Sequence, residues 1–462
     1  TLEQFEPRVL LSASPVAHDD LIETTAEQAV QFDPVANDFD ADGDQLTLIG
    51  VSEVDGGTAA INGNSVTWAP HPGFLGQDTL HYTISDGHGN ESVGSIVVTV
   101  NPPGAAQVLR PFGQHVNYAT GSILPDHVLQ SKLDDDVRAL YDDWKQRFLL
   151  PAGVSAGQPM YRVALAEGSS ETVSEGQGYG MVIVAYMAGH DPDAQELFDG
   201  MWAFAQANPS TIDGRLMDWH TPDVHDGNDS AFDGDADIAY ALLLANAQWS
   251  SNGNVDYAAA AATTIAGIYE STIGPDSQLP ELGDWVSAHG QPFNQNTPRP
   301  GDFMPAHFRS FAQATEDHRW NDVIAATQTV VDSLQTNHAP VTGLLPDFVV
   351  NAVNDPQPSP GTFLEGPYDN TYSYNSARVP WRIGLDGVLN GDSTSIAQAL
   401  KLSHWAEAAT GGNPNTFHAG YQLDGIPVPG RAYMSTAFVA PLGVAAMNDS
   451  SQQAWLNSIY DV

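Results

Sequence analysis

Cysteine is absent from the 462 residues, so neither a disulfide framework nor a thiolate zinc site can form. Basic residues are scarce: 15 Lys and Arg face 57 Asp and Glu, a formal net charge of −42. That excess repels nucleic acid and anionic lipid and argues against both as partners. It leaves cationic or neutral partners open, and it is equally the solvated surface of a protein living in a salty medium. No apolar run is long enough to span a bilayer or to form a signal-peptide core, so no membrane insertion is expected. An export signal, if there is one, is expected upstream of Thr1. The length itself implies two or three folding units.

Four segments follow from the pattern along the chain. Residues 1–14 carry Phe5-Glu6-Pro7-Arg8-Val9-Leu10-Leu11-Ser12-Ala13, which resembles the LEPRxLLSA motif near the start of many exported bacterial proteins, with Phe5 in place of Leu. A frayed terminal arm is the plain alternative. Residues 15–101 read as β: alternation in Ser65–Ala69, Thr79–Ile84 and Gly94–Val100 is broken by turn signals such as Asp42-Gly43-Asp44, Asn62-Gly63-Asn64 and Asp86-Gly87. Short strands at this spacing predict a small β-sandwich. Ala36-Asn37-Asp38-Phe39-Asp40-Ala41-Asp42-Gly43-Asp44 and Tyr82-Thr83-Ile84-Ser85-Asp86-Gly87 resemble the cadherin-like repeats of bacterial surface proteins. Asp38, Asp40, Asp42 and Asp44 can supply hard oxygen ligands to a structural Ca²⁺; a metal-free Asx-rich turn would have the same sequence.

Residues 102–110, opening with Pro102-Pro103-Gly104, form a linker. From 111 to 462 the period becomes helical. Leu133, Val137, Leu140 and Trp144 repeat at helical spacing, and similar stretches are 178–188, 193–207, 235–249, 257–270, 319–335, 394–409, 434–447 and 452–461. Roughly a dozen helices with few convincing strands predict an all-α domain.

Four polar clusters in this domain are candidates for chemistry. Val173–Met181 places Glu175 among three glycines before an apolar helix, either facing a groove or capping the helix. Ser230–Ala239 puts Asp233 and Asp237 four apart on one helix face; acids in a first turn also stabilise the helix, but Gly234 there calls for close approach of something. Asn375–Arg382 joins two guanidinium groups to Trp381, whether for substrate or as a buried Arg paired with an Asp and packed on the indole. Gly361–Asp369 carries Glu365 and Asp369 on a long Pro/Gly/Asn-rich loop, the kind of segment that often carries function.

Together these clusters resemble glycoside hydrolase family 8 over roughly Pro125 to Met447. Ala231-Phe232-Asp233-Gly234-Asp235-Ala236-Asp237-Ile238-Ala239 fits the family signature A-[ST]-D-[AG]-D-x-x-[IM]-A except at Phe232. Val173–Gly180, Leu216–His220, Phe303–His307, Gly343–Asp347 and Tyr374–Arg378 match further motifs in the same order. The resemblance implies an (α/α)₆ barrel with an open cleft, and inverting cleavage of a β-1,4-linked polysaccharide with Glu175 as general acid. No cofactor for catalysis is implied. Many members carry the base as Asp in Tyr-Asp-Ala-x-Arg; here Tyr374-Asn375-Ser376-Ala377-Arg378 has Asn, which cannot take a proton from water at useful strength. A subgroup with that Asn is similar in placing a Glu on a preceding inserted loop, which implies Glu365 as the base, with Asp369 in reserve.

The expected site is therefore Glu175, Glu365 and Asp233, with Tyr179, Trp219, Asn375, Arg378 and Trp381 contacting sugar. The subgroup includes chitosanases, licheninases and cellulases, so the preferred glycan stays open. A secreted or cell-surface monomer acting on polysaccharide is expected. The competing reading is a non-catalytic surface adhesin whose α domain is a degenerate carbohydrate binder.

Overall fold

The computed structural model describes residues 14–462 except 41, 53–54, 102–107, 115–117, 223–227 and 252. The N-terminal motif Phe5–Ala13 and the Pro102-Pro103-Gly104 linker lie outside the described residues. The chain divides into two compact units, residues 1–115 with 186–192, and residues 116–185 with 193–462.

In the first unit, β1 (Asp20–Thr25), β2 (Val30–Phe32), β3 (Thr47–Val51), β4 (Gly57–Asn62), β5 (Ser65–Pro70), β6 (Gly76–Ser85) and β7 (Glu91–Asn101) make two sheets. Their orders are β1-β7-β6-β3 and β2-β5-β4, with β1 parallel to β7 and the other pairs antiparallel. The period-2 alternation noted in the sequence sends Leu80, Tyr82 and Ile84 of β6 and Ile96, Val98 and Val100 of β7 inward, where they meet Val66 and Trp68 of β5. Asn62 pairs with Ser65 across the Gly63-Asn64 turn.

The second unit holds eleven helices among the described residues: α1 (Gln130–Phe148), α2 (Ser174–Tyr186), α3 (Ala194–Ala207), α4 (Phe232–Trp249), α5 (Tyr257–Thr272), α6 (Pro305–Thr315), α7 (Trp320–Asn337), α8 (Val379–Asn390), α9 (Ser393–Thr410), α10 (Thr436–Ala446) and α11 (Gln453–Tyr460). Neighbours pair as hairpins α4–α5, α6–α7, α8–α9 and α10–α11, while α4, α6, α8 and α10 touch in succession. This inner–outer alternation is the (α/α)₆ barrel layout. The inner helices are buried almost all round, as α4 shows from Phe232 to Leu242, where even Asp233, Asp235 and Asp237 are buried among apolar and small residues.

Three features depart from the sequence reading. Helices α6 and α8 gave no periodic signal, because Pro305, Pro380, Gly384 and Gly387 interrupt them; both prolines sit in the first turn, where the missing N–H costs nothing. A hairpin, β8 (Leu149–Ser155) with β9 (Gln158–Val163), follows α1 where no strands were expected. The stripe Leu133–Trp144 is not the buried face of α1: Leu140 is 71% exposed, and the helix rests on Tyr141 instead.

Candidate active site

Helix starts and loops at one end of the barrel enclose a cleft of about 620 Å³, whose lining includes Ser174, Glu175, Trp219, Asp233, Trp285, Phe293, Arg299, Leu364, Glu365 and Asn375. Glu175 is the second residue of α2. Just before it, β10 (Thr172–Val173) pairs with β11 (His220–Thr221), and the Ser174 amide donates to the Trp219 carbonyl at 2.9 Å. This pins Trp219 beside the carboxyl. Helix α4 delivers Asp233 from the other side. The close approach that Gly234 signalled is between these two helices: a methyl at Gly234 would lie 2.2 Å from Ser174 Oγ, and one at Gly178 would lie 2.8 Å from Asp237 Cβ. The glycines therefore seat α2 on α4 and bring Glu175 to Asp233; Gly178 does not line a sugar groove.

Glu175 is 35% exposed at its side chain. Its Oε1 accepts from the Tyr179 hydroxyl at 2.8 Å and from Arg378 Nη1. Oε2 accepts nothing from the described residues and is the oxygen left to meet a ligand. Asp233 is buried; Oδ2 takes Arg378 Nη1 at 2.6 Å and Arg299 Nη2 at 2.9 Å, and Oδ1 takes the Gly234 amide at 2.9 Å. Burial alone would push this carboxyl up, but the guanidinium groups of Arg299 and Arg378 outweigh it and hold it well below the usual range. Beneath them Asp302 takes Arg299 Nε through both oxygens at 3.0 Å, and burial pushes its carboxyl up to about 7 against those same arginines.

Glu365 enters the same cleft from the loop 361–369, 49% exposed. Asn375 Nδ2 donates to Glu365 Oε2 at 2.8 Å, while Arg299 Nη1 stands 3.6 Å from Oε1. Asn375 Oδ1 in turn accepts from Arg378 Nη2 at 3.1 Å and Arg299 Nη1 at 3.3 Å. Asn375 thus orients a carboxylate rather than replacing one. The turn that carries it is fixed by Asp347, whose Oδ1 accepts from the Ser373 and Ser376 amides and the Ser376 hydroxyl. Asp369 takes a different part from the one held in reserve for it. Its buried carboxylate accepts the amides of Phe363, Leu364, Glu365 and Gly366 at 2.7–3.1 Å and so ties the loop into the bend that presents Glu365. Both of its oxygens are thereby engaged in holding the loop, with three amides on Oδ2 and one on Oδ1.

Of the other expected residues, Trp219 lines the cleft and Arg378 links Glu175 to Asp233. Tyr179 and Trp381 do not line it. Their rings pack on each other at 5.6 Å, and Arg382 lies 4.0 Å over the Trp381 indole while pairing through both terminal nitrogens with buried Asp237. The structural alternative for the Arg–Trp cluster is therefore what Arg382 does. Replacing Tyr179 with Phe is expected to lower kcat by about tenfold or more, the worth of a hydrogen bond to a charged group, with little change in KM. A raised KM at unchanged kcat would instead mark the Tyr179 hydroxyl as a hydrogen-bond partner of bound sugar.

Sequence reasoning missed Arg299, Asp302, Trp285 and Phe293. Arg299-Pro300-Gly301-Asp302 directly precedes the Phe303–His307 motif, and that adjacency was the one available signal. In the β unit, Asp38 is drawn away from the expected metal set: its Oδ1 accepts from Tyr82 Oη and the His18 amide. Asp40 and Asp44 converge instead with Asp86, and Asp42 is not part of that group.

Residues 132–457 match the family described as glycosyl hydrolases family 8, and residues 12–99 match a bacterial Ig domain. A β-glucanase of Niallia circulans is 42% identical over 354 residues, covering 76% of this chain and 84% of that protein. An endoglucanase of Bacillus sp. strain KSM-330 is 37% identical over 399 residues, 84% of this chain and 82% of its own length. Among solved structures, an apo β-1,3-1,4-glucanase from Paenibacillus sp. X4 aligns with a TM-score of 0.72 at 42% identity, covering 76% of this chain and 91% of that one. A cold-adapted family 8 xylanase with substrate shares the fold, with a TM-score of 0.61 at 19% identity over 74% of this chain and 88% of that one.

Proposed function

This chain belongs to glycosyl hydrolases family 8 and is a glycoside hydrolase of polysaccharide, and from that premise we propose that it is an exported, inverting endo-β-glucanase with Glu175 as acid and Glu365 as base. The observation that carries the assignment is the Asn375–Glu365 hydrogen bond inside the cleft that also holds Glu175. With Asn375 at the position of the usual base, Glu365 is the carboxylate that its own loop brings into the cleft, which supports the reading of Glu365 as the base. No membrane-spanning helix is present among the described residues.

Inversion needs a proton donor at the glycosidic oxygen and a base on the far side of the sugar, with about 6.5–9.5 Å between the carboxyls for the attacking water. Glu175 presents its free Oε2 to the leaving oxygen. Glu365, half in solvent, receives the water's proton, while Asn375 fixes its Oε2. Asp233 is spoken for by Arg299 and Arg378 and is not a proton acceptor. It holds both guanidinium groups at the cleavage point, where they orient Glu175 and Asn375.

The substrate we favour is a neutral β-1,4 or mixed β-1,3-1,4 glucan. Trp219, Trp285 and Phe293 give the cleft apolar walls, and the axial C–H faces of β-linked glucose pack on such rings. The two relatives at 42% identity are a β-glucanase and a β-1,3-1,4-glucanase by name. Reducing-sugar release and viscosity should be followed on lichenan, cereal β-glucan, carboxymethyl cellulose, xylan and chitosan. We expect rapid viscosity loss, and kcat/KM at least about tenfold higher on mixed-linkage glucan than on chitosan or xylan. Chitosan as the preferred substrate would overturn the glucan assignment.

A further inference from the structure

Outside the cleft, the β unit gathers carboxylates from two loops distant in sequence. One loop, Asp40 to Asp44, precedes β3; the other, Asp86 to Asn90, joins β6 to β7. One carboxylate oxygen from each of Asp40, Asp44 and Asp86 lies within 4.8 Å of the others. Each loop is curled around its own first residue. Asp40 Oδ1 accepts the amides of Asp42 at 2.8 Å and Asp44 at 3.2 Å. Asp86 Oδ1 accepts those of His88 at 2.7 Å and Asn90 at 3.1 Å, and Asn90 Nδ2 donates to Asp86 Oδ2 at 2.6 Å. These bonds explain the shape of each loop but not why the two meet.

A separate observation points to what joins them. Asp40 is 5% exposed, and its Oδ2 is sealed from solvent with no hydrogen-bond partner among the described residues. A buried carboxylate oxygen is costly unless something satisfies it, and two further carboxylates close by add repulsion. His88 Nε2 stands 3.5 Å from Asp44 Oδ1, but it is well exposed, and such a pair contributes little.

We propose that Asp40, Asp44 and Asp86 form a calcium site that ties the loop before β3 to the β6–β7 hairpin. Three converging hard oxygens call for a hard cation, with backbone carbonyls and water completing a shell of about six to eight ligands at about 2.3–2.6 Å. Calcium tolerates the irregular geometry of two facing turns; magnesium demands a near-ideal octahedron at about 2.0–2.1 Å. The site is independent of the hydrolytic reaction, and its failure would leave the glucanase assignment untouched.

The test is titration of the full chain, stripped with EDTA, with CaCl₂ alone, followed by calorimetry and thermal melting. Wild type should bind calcium at this site with a Kd of about 10⁻⁴–10⁻³ M, in the range of extracellular modules, and magnesium at least about tenfold more weakly. Saturating calcium should raise the melting temperature of the β unit by about 5 °C or more. Asp44→Asn, at a partly exposed position, should fold, lose about tenfold or more in calcium affinity, and lose the thermal response. In EDTA that variant should melt no lower than wild type, because it removes one of three repelling charges; a merely structural Asp44 would instead lower the melting temperature with and without calcium. No calcium response in wild type, equal binding by Asp44→Asn, or equally tight magnesium binding would each overturn the proposal.

Discussion

Glu365→Gln is expected to lower kcat on β-glucan by about a thousandfold, within the usual range for losing a general base, with KM changed by no more than a few-fold. Gln is isosteric and its amide oxygen still accepts from Asn375 Nδ2, so the loop tied by Asp369 keeps its bend. What disappears is the capacity to take a proton from water. Since that step does not involve the leaving group, the loss should be as large on an activated aryl glycoside as on polysaccharide. Turnover near the wild-type rate would remove Glu365 from the mechanism.

The second large effect is on the acid, and leaving-group dependence separates it from the first. Glu175→Gln should cut kcat on polysaccharide by about a thousandfold, because an amide cannot protonate a sugar alkoxide. On a substrate whose leaving group departs as a stable phenolate, protonation matters less, and the deficit should shrink by about tenfold or more. The fold should survive: Tyr179 can still donate to the Gln oxygen, and Arg378 keeps Asp233. Circular dichroism melts within a few degrees of wild type would check this. Equal losses on both substrate types would contradict an acid role for Glu175.

Much of this was legible in the residues, for reasons that can be named. Leu80, Tyr82 and Ile84 alternate because one face of β6 is buried, and Phe232 to Leu242 sets apolar and small residues around three buried aspartates because α4 is an inner helix. The acids Glu175 and Glu365 stood out through their motifs, and the structure brings both to one cleft. Helix α8 was hidden because Pro380 and two glycines erase the propensity that tertiary packing then overrides. Arg299 and Asp302 were hidden because they lie in a short loop without period, and their importance comes only from Asp233 and Asn375 arriving from elsewhere in the chain. Aromatic identity could not tell Trp219, which faces the cleft, from Tyr179 and Trp381, which stand behind the acid. Asp369 could not be told from a base, because four amides folding onto it is a property of the loop and not of the residue. Asp86 escaped the metal reading for the same reason: its partners are more than forty positions away, and local spacing favoured Asp38 and Asp42 instead. Relatives named as β-glucanase and endoglucanase at 42% and 37% identity, with Glu175 and Glu365 retained in one cleft, weigh against the reading of the chain as a non-catalytic adhesin.

In the proposed mechanism water, activated by Glu365, displaces the leaving sugar in one step across the ring from Glu175. Proton NMR of the anomeric region during the first minutes of β-glucan hydrolysis by the wild-type protein tests it most directly. The α-anomer of the new reducing end should appear first, and the β-anomer should grow in later by mutarotation. First appearance of the β-anomer would mean retention, hence a covalent intermediate, and would contradict Glu365 as a base for direct displacement.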